Sequence, residues 1–401
     1  MKFKTSTFLI TALLGVLSTP VCLAQTKIIT FEAPGADTTQ GSFNGTVPAS
    51  INNFGAVTGT YYDVNNVGHG FLRSREGDYT TIDPPGSEYT QGTSINDLGV
   101  IAGDYYDAAG NEHGFLRSPG GRFTTFDVSQ EFDPVALNLE GAIVGYSLDQ
   151  NSLFQAFLRS PDGKITTFVG PRSCTGGLNV TPPCYGNEAT SINVFGASLG
   201  NDMDNNLVGH GFVRSPDGKL TEFDAPGAGT GQYQGTGCPG CFSGLNAAGA
   251  VASIYTDASY VFHSFLRSPE GRFTTIDAPG AGTGAGQGTG CSSDCPTALN
   301  DWGAVAGNYI DANNVFHGFL RSPDGKLTEF DAPGAGTAAG QGTACQFCGL
   351  GLNDFGEIAG TYLDANNVYH GFLRLPCEAR RSSGEPRETM EKLCGQSDSD
   401  R

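Results

Sequence analysis

Six histidines are the side chains of this chain best suited to acid–base or metal chemistry, and all six occupy one place in a recurring phrase. His69, His113, His210, His263, His317 and His370 each stand two residues before a phenylalanine and four before an arginine, as in His317-Gly318-Phe319-Leu320-Arg321. A catalytic group needs a singular environment, so a residue repeated in this way answers a need shared by every repeat. Alternation along a strand puts His317, Phe319 and Arg321 on one face, with Asp331 ending the neighbouring strand. The spacing predicts a structural network of His317, Arg321 and Asp331, the arginine pairing with the aspartate, and no catalytic residue. The third copy carries Gln155 for the histidine and Val169 for the aspartate, a joint loss that fits coupling.

Other motifs that suggest chemistry have structural explanations. The turns Asp63/Asn66, Asp311/Asn314, Asp364/Asn367 and the richer Asp202/Asp204 resemble calcium loops, but most copies offer one carboxylate where calcium wants several, and an Asx turn accounts for them. Glycine runs such as 280–286 follow a strand, yet no helix pattern comes after them to hold a phosphate. No metal site and no cofactor are expected. Eleven cysteines include Cys22 in the leading segment; the other ten fall into local pairs, Cys174/Cys184, Cys238/Cys241, Cys291/Cys295, Cys345/Cys348 and Cys377/Cys394. In an exported chain these read as disulfides. Zinc would need two pairs brought together, and a redox pair usually opens a helix; neither context is visible.

The elements that hold these residues follow from the repeat. Seven copies, about 50 residues apart, each rich in short β-type runs and Asn, Asp, Pro and Gly turns, predict an all-β, seven-bladed β-propeller over residues 25–376. In the sixth copy the four strands are expected at 297–300, 303–310, 316–321 and 326–331. The second strand is small-residue-rich, which suits the crowded axis, and the third carries the phenylalanines of the blade-to-blade core. Lys27 to Gly35 matches the outer strand of the sixth copy, while the seventh copy stops without one. The N-terminal strand is therefore expected to complete the last blade and close the ring; an open β-solenoid is the alternative.

Residues 1–24 read as a secretion signal: Lys2 and Lys4, an apolar run from Phe8 to Leu17, then Cys22-Leu23-Ala24, with cleavage near Ala24. A lipid anchor on Cys22 is the alternative. No later run approaches about 18 apolar residues, so no membrane insertion is expected. Residues 377–401 are expected to form a mobile polar tail. The formal charge of −19 excludes phosphate backbones as natural partners, so no nucleic acid is expected.

The repeats resemble the bacterial extracellular family named HAF after its His-Ala-Phe signature, over residues 27 to 375. This chain reads His-Gly-Phe in five copies, His263-Ser264-Phe265 in one and Gln155-Ala156-Phe157 in another. The resemblance implies a secreted propeller-like protein and brings no catalytic residue with it.

Copies four to seven carry about ten extra residues each, all between an outer strand and the next inner strand, and their cysteine pairs sit inside these additions. A rigid rim bearing Tyr185, Tyr233, Phe242 and Phe347 is the expected ligand-binding surface, for a glycan or an extracellular protein. The chain is expected to be a monomeric binding module. An extracellular glycosidase or lyase, with Glu188 and Asp294 as the available acids, and a structural surface protein are the alternatives.

Overall fold

The structure, a computed structural model, describes residues 26–41, 44–129, 131–176, 184–238, 240–292, 296–345 and 348–376. The expectations for residues 1–24 and 377–401, and for Asp294, Cys295, Phe347, Cys377 and Cys394, fall outside them. Every regular element among the described residues is a strand. The first repeats make three separate four-stranded antiparallel sheets. These are Thr46–Ile51, Val57–Tyr62, Gly68–Arg73, Tyr79–Ile82; then Ser87–Ile95, Ile101–Asp107, Glu112–Arg117, Phe123–Phe126; then Phe132–Leu137, Ile143–Leu148, Phe154–Arg159, Ile165–Phe168. Asn187–Ile192 opens a fourth unit of the same order.

In the last three repeats the inner strand shrinks to Gly244–Leu245, Ala298–Leu299 and Leu350–Leu352. Two-residue segments take up part of its work. Gly235–Thr236 pairs in parallel with Gly209 of one sheet and antiparallel with Val251–Thr256 of the next, so the extra loops tie successive sheets together. The sixth repeat forms Ala298–Leu299, Val305–Ile310, Phe316–Arg321 and Leu327–Phe330, close to the expected spans.

The third-strand phenylalanines Phe71, Phe115, Phe157, Phe212, Phe265, Phe319 and Phe372 are all fully buried. The second-strand glycines have a cause different from crowding at an axis. A Cβ at Gly103 would lie 2.0 Å from the Gln91 carbonyl oxygen and 2.6 Å from the Phe115 ring, both within its own sheet. The phenylalanine folding over the second strand leaves room there for only a small residue, glycine in six repeats and Ser253 opposite Phe265 in the fifth.

One asparagine per repeat joins the sheets. The side-chain amide of Asn52 donates to the Asn96 carbonyl at 3.1 Å, Asn96 to Asn138 at 3.0 Å, Asn138 to Asn193 at 3.1 Å, and Asn193 to Asn246 at 3.1 Å. Asn246 donates to Asn300 at 3.3 Å, Asn300 to Asn353 at 3.1 Å, and Asn353 back to Asn52 at 3.1 Å. Each Oδ1 meanwhile accepts a backbone N–H of its own turn, as Asn300 does from Ala304 at 2.8 Å. Both ends of a buried amide are thereby satisfied. Arg75 and Glu357, 2.8 Å apart, add a second tie between the first and last repeats. Lys27–Phe31 lies against Tyr369–Leu375: Glu32 bonds His370, Gly371 backs onto the Phe31 ring, and Ile28 packs in the cluster of Tyr362 and Phe372.

The histidine network differs from its expected form. Asp331 bonds His317 Nδ1 at 2.9 Å, not Arg321, and the same pairing joins His69 to Asp83, His113 to Asp127, His210 to Asp224 and His263 to Asp277. The histidine ring packs on a second-strand tyrosine, as His317 does on Tyr309 at 4.8 Å, except at His210, which faces Asp202. The arginines turn to the preceding sheet: Arg73 lies over Phe31, Arg159 over Phe126, Arg214 over Phe168, Arg267 over Phe223 and Arg374 over Phe330, at 4.8–5.1 Å. The residues in the corresponding places before Arg117 and Arg321 are Ile82 and Ile276. A guanidinium is weakly hydrated and planar, so it can stack on an aromatic face, although burial still lowers the pKa of Arg159, Arg267 and Arg374.

Two outcomes follow from these contacts. Asn300→Ala leaves the Asn353 carbonyl and the Ala304 N–H without their partner and should lower unfolding stability by about 1–3 kcal/mol in urea titration; stability equal to the parent would show that the relay holds nothing. The Asp331 bond raises the His317 pKa, with burial opposing it. The stabilisation is therefore full below the unfolded value, about 6.5, and fades as pH rises through the folded one. Asp331→Asn should lower the melting temperature at pH 6 more than at pH 8.5, the stability lost being no more than about 1 kcal/mol for so exposed a carboxylate. An equal loss at both would discard the ion pair.

Candidate functional site

The insertions behave as interior fillers as much as a rim. Disulfides join Cys174–Cys184, Cys238–Cys241 and Cys345–Cys348, and Cys291 is disulfide-bonded as well. Cys174, Cys184, Cys241, Cys291, Cys345 and Cys348 are buried, and Cys291, Cys345 and Cys348 share an apolar cluster with Phe262, Phe316 and Leu363. Of the expected aromatic surface, Tyr233 is exposed and Phe242 half-buried, its carbonyl accepting Thr297 N–H at 2.8 Å. Tyr185 lines a cavity of only about 10 Å³ with Glu188 and Asp202. Glu188, the acid expected to be available, accepts Gly240 N–H at 2.8 Å.

A far larger pocket, about 790 Å³, lies between the second and third sheets, in repeats without a stapled insertion. Its walls include Gln91, Tyr106, Glu112, His113, Phe132, Asp133, Tyr146 and Phe154. Its size falls in the usual range for small-ligand sites, and among the described residues no lysine or arginine lines it. Antiparallel order places the turn 107–111 and the connection 127–132 at the same end of the sheets.

Local rules position each wall residue. Asp107 accepts the N–H groups of Ala109 and Asn111, both at 2.8 Å, fixing the turn that delivers Glu112 and His113. His113 is locked by Asp127 at 2.7 Å and Asp107 at 3.4 Å. Glu112 reaches the next sheet and accepts Phe132 N–H at 2.9 Å. Tyr146 donates its hydroxyl to Asp133, and its ring meets Phe154 edge-on at 5.2 Å. Behind Glu112 and Asp133 lies Asp104, fully buried. Burial pushes the Glu112 carboxyl up to about 7, and burial together with the Asp133 and Glu112 charges holds Asp104 well above the carboxylate range.

The sequence reading missed this site because it looked for acids among the insertions. The available signal was departure from the repeat. At the place of Asp104 the other sheets have Thr60, Tyr146, Asn201, Ile254, Asn308 and Thr361, each opposite the residue after the histidine or glutamine. At the place of Glu112 they have Gly68, Phe154, Gly209, Phe262, Phe316 and Tyr369. A second feature was missed at the opposite end: Phe54, Phe195, Trp302 and Phe355, each two residues after a relay asparagine, are about two-thirds or more exposed.

No protein-family model matches the chain, and no curated protein matches it. Solved structures do resemble it. A catalytically inactive variant of virginiamycin B lyase from Staphylococcus aureus, with quinupristin, is 15% identical with a TM-score of 0.53, covering 88% of this chain and 100% of that one. The β-propeller domain of the trilobed protease from Pyrococcus furiosus, with open velcro topology, is 8% identical with a TM-score of 0.53, covering 82% and 95%. The lectin BP39L from Burkholderia pseudomallei is 10% identical with a TM-score of 0.51, covering 82% and 98%. At these identities the likeness is one of fold, and the fold of this chain is a β-propeller.

Proposed function

We propose that this chain is an exported propeller of the HAF-repeat type, with seven blades and a ring closed by Lys27–Phe31, and that it binds a glycan in the pocket between its second and third blades. The seven-membered asparagine relay and the packing of Lys27–Phe31 against Tyr369–Leu375 support the architecture. Buried local disulfides favour an oxidising compartment, and no helix among the described residues is long and apolar enough to cross a membrane.

The pocket carries the functional reading. Tyr106, Tyr146 and Phe154 offer ring faces and edges for the apolar C–H faces of a sugar, while Glu112, Asp133 and Gln91 offer acceptors for its hydroxyls. A concave site of this volume suits one or two sugar units better than the flat surface of a protein. The paired acids Glu112 and Asp133 keep hydrolysis as the second reading.

Both are tested by passing the oxidised protein over immobilised extracellular polysaccharides and scoring retention and released sugars together. Binding predicts retention without release, weakened about tenfold or more by Tyr106→Ala and unchanged by Trp302→Ala at the other end. Retention that ignores Tyr106→Ala, or none at all, removes the glycan reading; released sugar replaces binding with hydrolysis.

A further inference from the structure

Three carboxylates from three different strands converge where the second and third sheets meet. They are Asp104 of Ile101–Asp107, Glu112 of Glu112–Arg117 and Asp133 of Phe132–Leu137, and one oxygen of each lies within 4.8 Å of the others. Two are individually held, Glu112 by Phe132 N–H and Asp133 by the Tyr146 hydroxyl. Asp104 is not. Its side chain is 0% exposed, and neither of its carboxylate oxygens has a hydrogen-bond partner. A buried, unpartnered carboxylate beside two others is among the costliest arrangements a fold can keep. The usual remedy, a lysine or arginine, does not line the pocket. Nor does His113 supply it, since its ring nitrogens face Asp127 and Asp107.

We infer that Asp104, Glu112 and Asp133 form a calcium site. The donors are all hard carboxylate oxygens, which select Ca²⁺, Mg²⁺ or Mn²⁺ over thiophilic metals. Coordination habit then decides among them. Oxygens across a calcium shell stand about 5 Å apart, twice a bond of about 2.5 Å, so the three ligand atoms fit within one shell. Magnesium demands near-ideal octahedral geometry and usually binds one or two carboxylates while keeping its waters, whereas calcium accepts an irregular set of several carboxylates. Gln91, paired with Asp104 in the sheet and lining the pocket, places an amide oxygen nearby, and the pocket admits water to complete the coordination. The ion would bridge two sheets and neutralise the charge that Asp104 brings inside. This site shares Glu112, Asp133 and Gln91 with the pocket of the glycan reading, but its argument does not require a bound sugar.

The test uses the full chain with disulfides intact, stripped with a chelator and titrated with Ca²⁺ by calorimetry and thermal melting. One ion per chain is expected, with a Kd on the order of 10⁻⁴ M or tighter, and a melting temperature that rises with Ca²⁺. In chelator, Asp104→Asn should melt no lower than the parent, because burial already disfavours the ionised carboxyl there; in Ca²⁺ the parent should be the more stable, with the variant's affinity at least about tenfold weaker. Tb³⁺ excited through Tyr106 and Tyr146 should luminesce in the parent and be displaced by Ca²⁺ before Mg²⁺. Glu112→Gln serves as a second variant should Asp104→Asn misfold, and Asp204→Asn, in the richest Asx turn, should bind as the parent does. No heat and no thermal shift in the parent would overturn the proposal. So would parent-like binding by the cluster variants, loss on Asp204→Asn, or preference for Mg²⁺.

Discussion

The structure depends on what a single buried amide does seven times over. In each repeat an asparagine opens the turn between inner and second strands, its oxygen accepting the N–H groups of that turn while its nitrogen donates to the carbonyl of the corresponding asparagine one repeat on. The two halves of the amide therefore serve different scales, one shaping a local turn and the other setting the spacing between sheets. A buried amide with one half unpaired is costly, so a relay that begins at Asn52 and returns to it from Asn353 leaves no member unsatisfied. A missing or extra repeat would change the angle each amide must bridge.

Around that relay the other repeated residues divide the remaining work. The histidine, stacked on a tyrosine and bonded to an outer-strand aspartate, binds three strands of one sheet together. The arginine on the same strand reaches outward to the preceding sheet and covers its last phenylalanine. The histidine pair thus ties strands within a sheet, while the arginine stack joins the asparagine relay in holding neighbouring sheets together. The third sheet, with Gln155 and Val169, lacks the histidine pair, yet keeps Arg159 over Phe126. Docking between sheets persists there where the internal tie does not.

The departures from the common repeat gather at one place. Two copies of the unit differ from the rest near one seam: Asp104 and Glu112 in the second, Asp133 and Tyr146 in the third. A regular scaffold makes such departures conspicuous, since every other copy shows what the position needs for folding alone. Threonine, asparagine or tyrosine suffices where Asp104 stands, so folding does not ask for a buried carboxylate there. The insertions of the later copies, by contrast, turn their cysteines inward and serve packing between neighbouring loops.

Much of this was legible in the residues alone. Period, turn chemistry and alternation determined the β-sheet repeat, the strand limits of Phe316–Arg321 and the buried phenylalanines, because each depends on contacts within a few residues or within one hairpin; local cysteine pairing was the default reading, and Cys174–Cys184, Cys238–Cys241 and Cys345–Cys348 follow it. The histidine was readable as structural, but its partner was not: His317, Arg321 and Asp331 share a face, and only packing against the preceding sheet draws the arginine away and leaves the aspartate to the histidine. The pocket was not readable either. Asp104 and Asp133 belong to different sheets, and their proximity depends on how two sheets twist and dock. That relation is fixed by contacts between repeats, and spacing within one repeat carries no record of it.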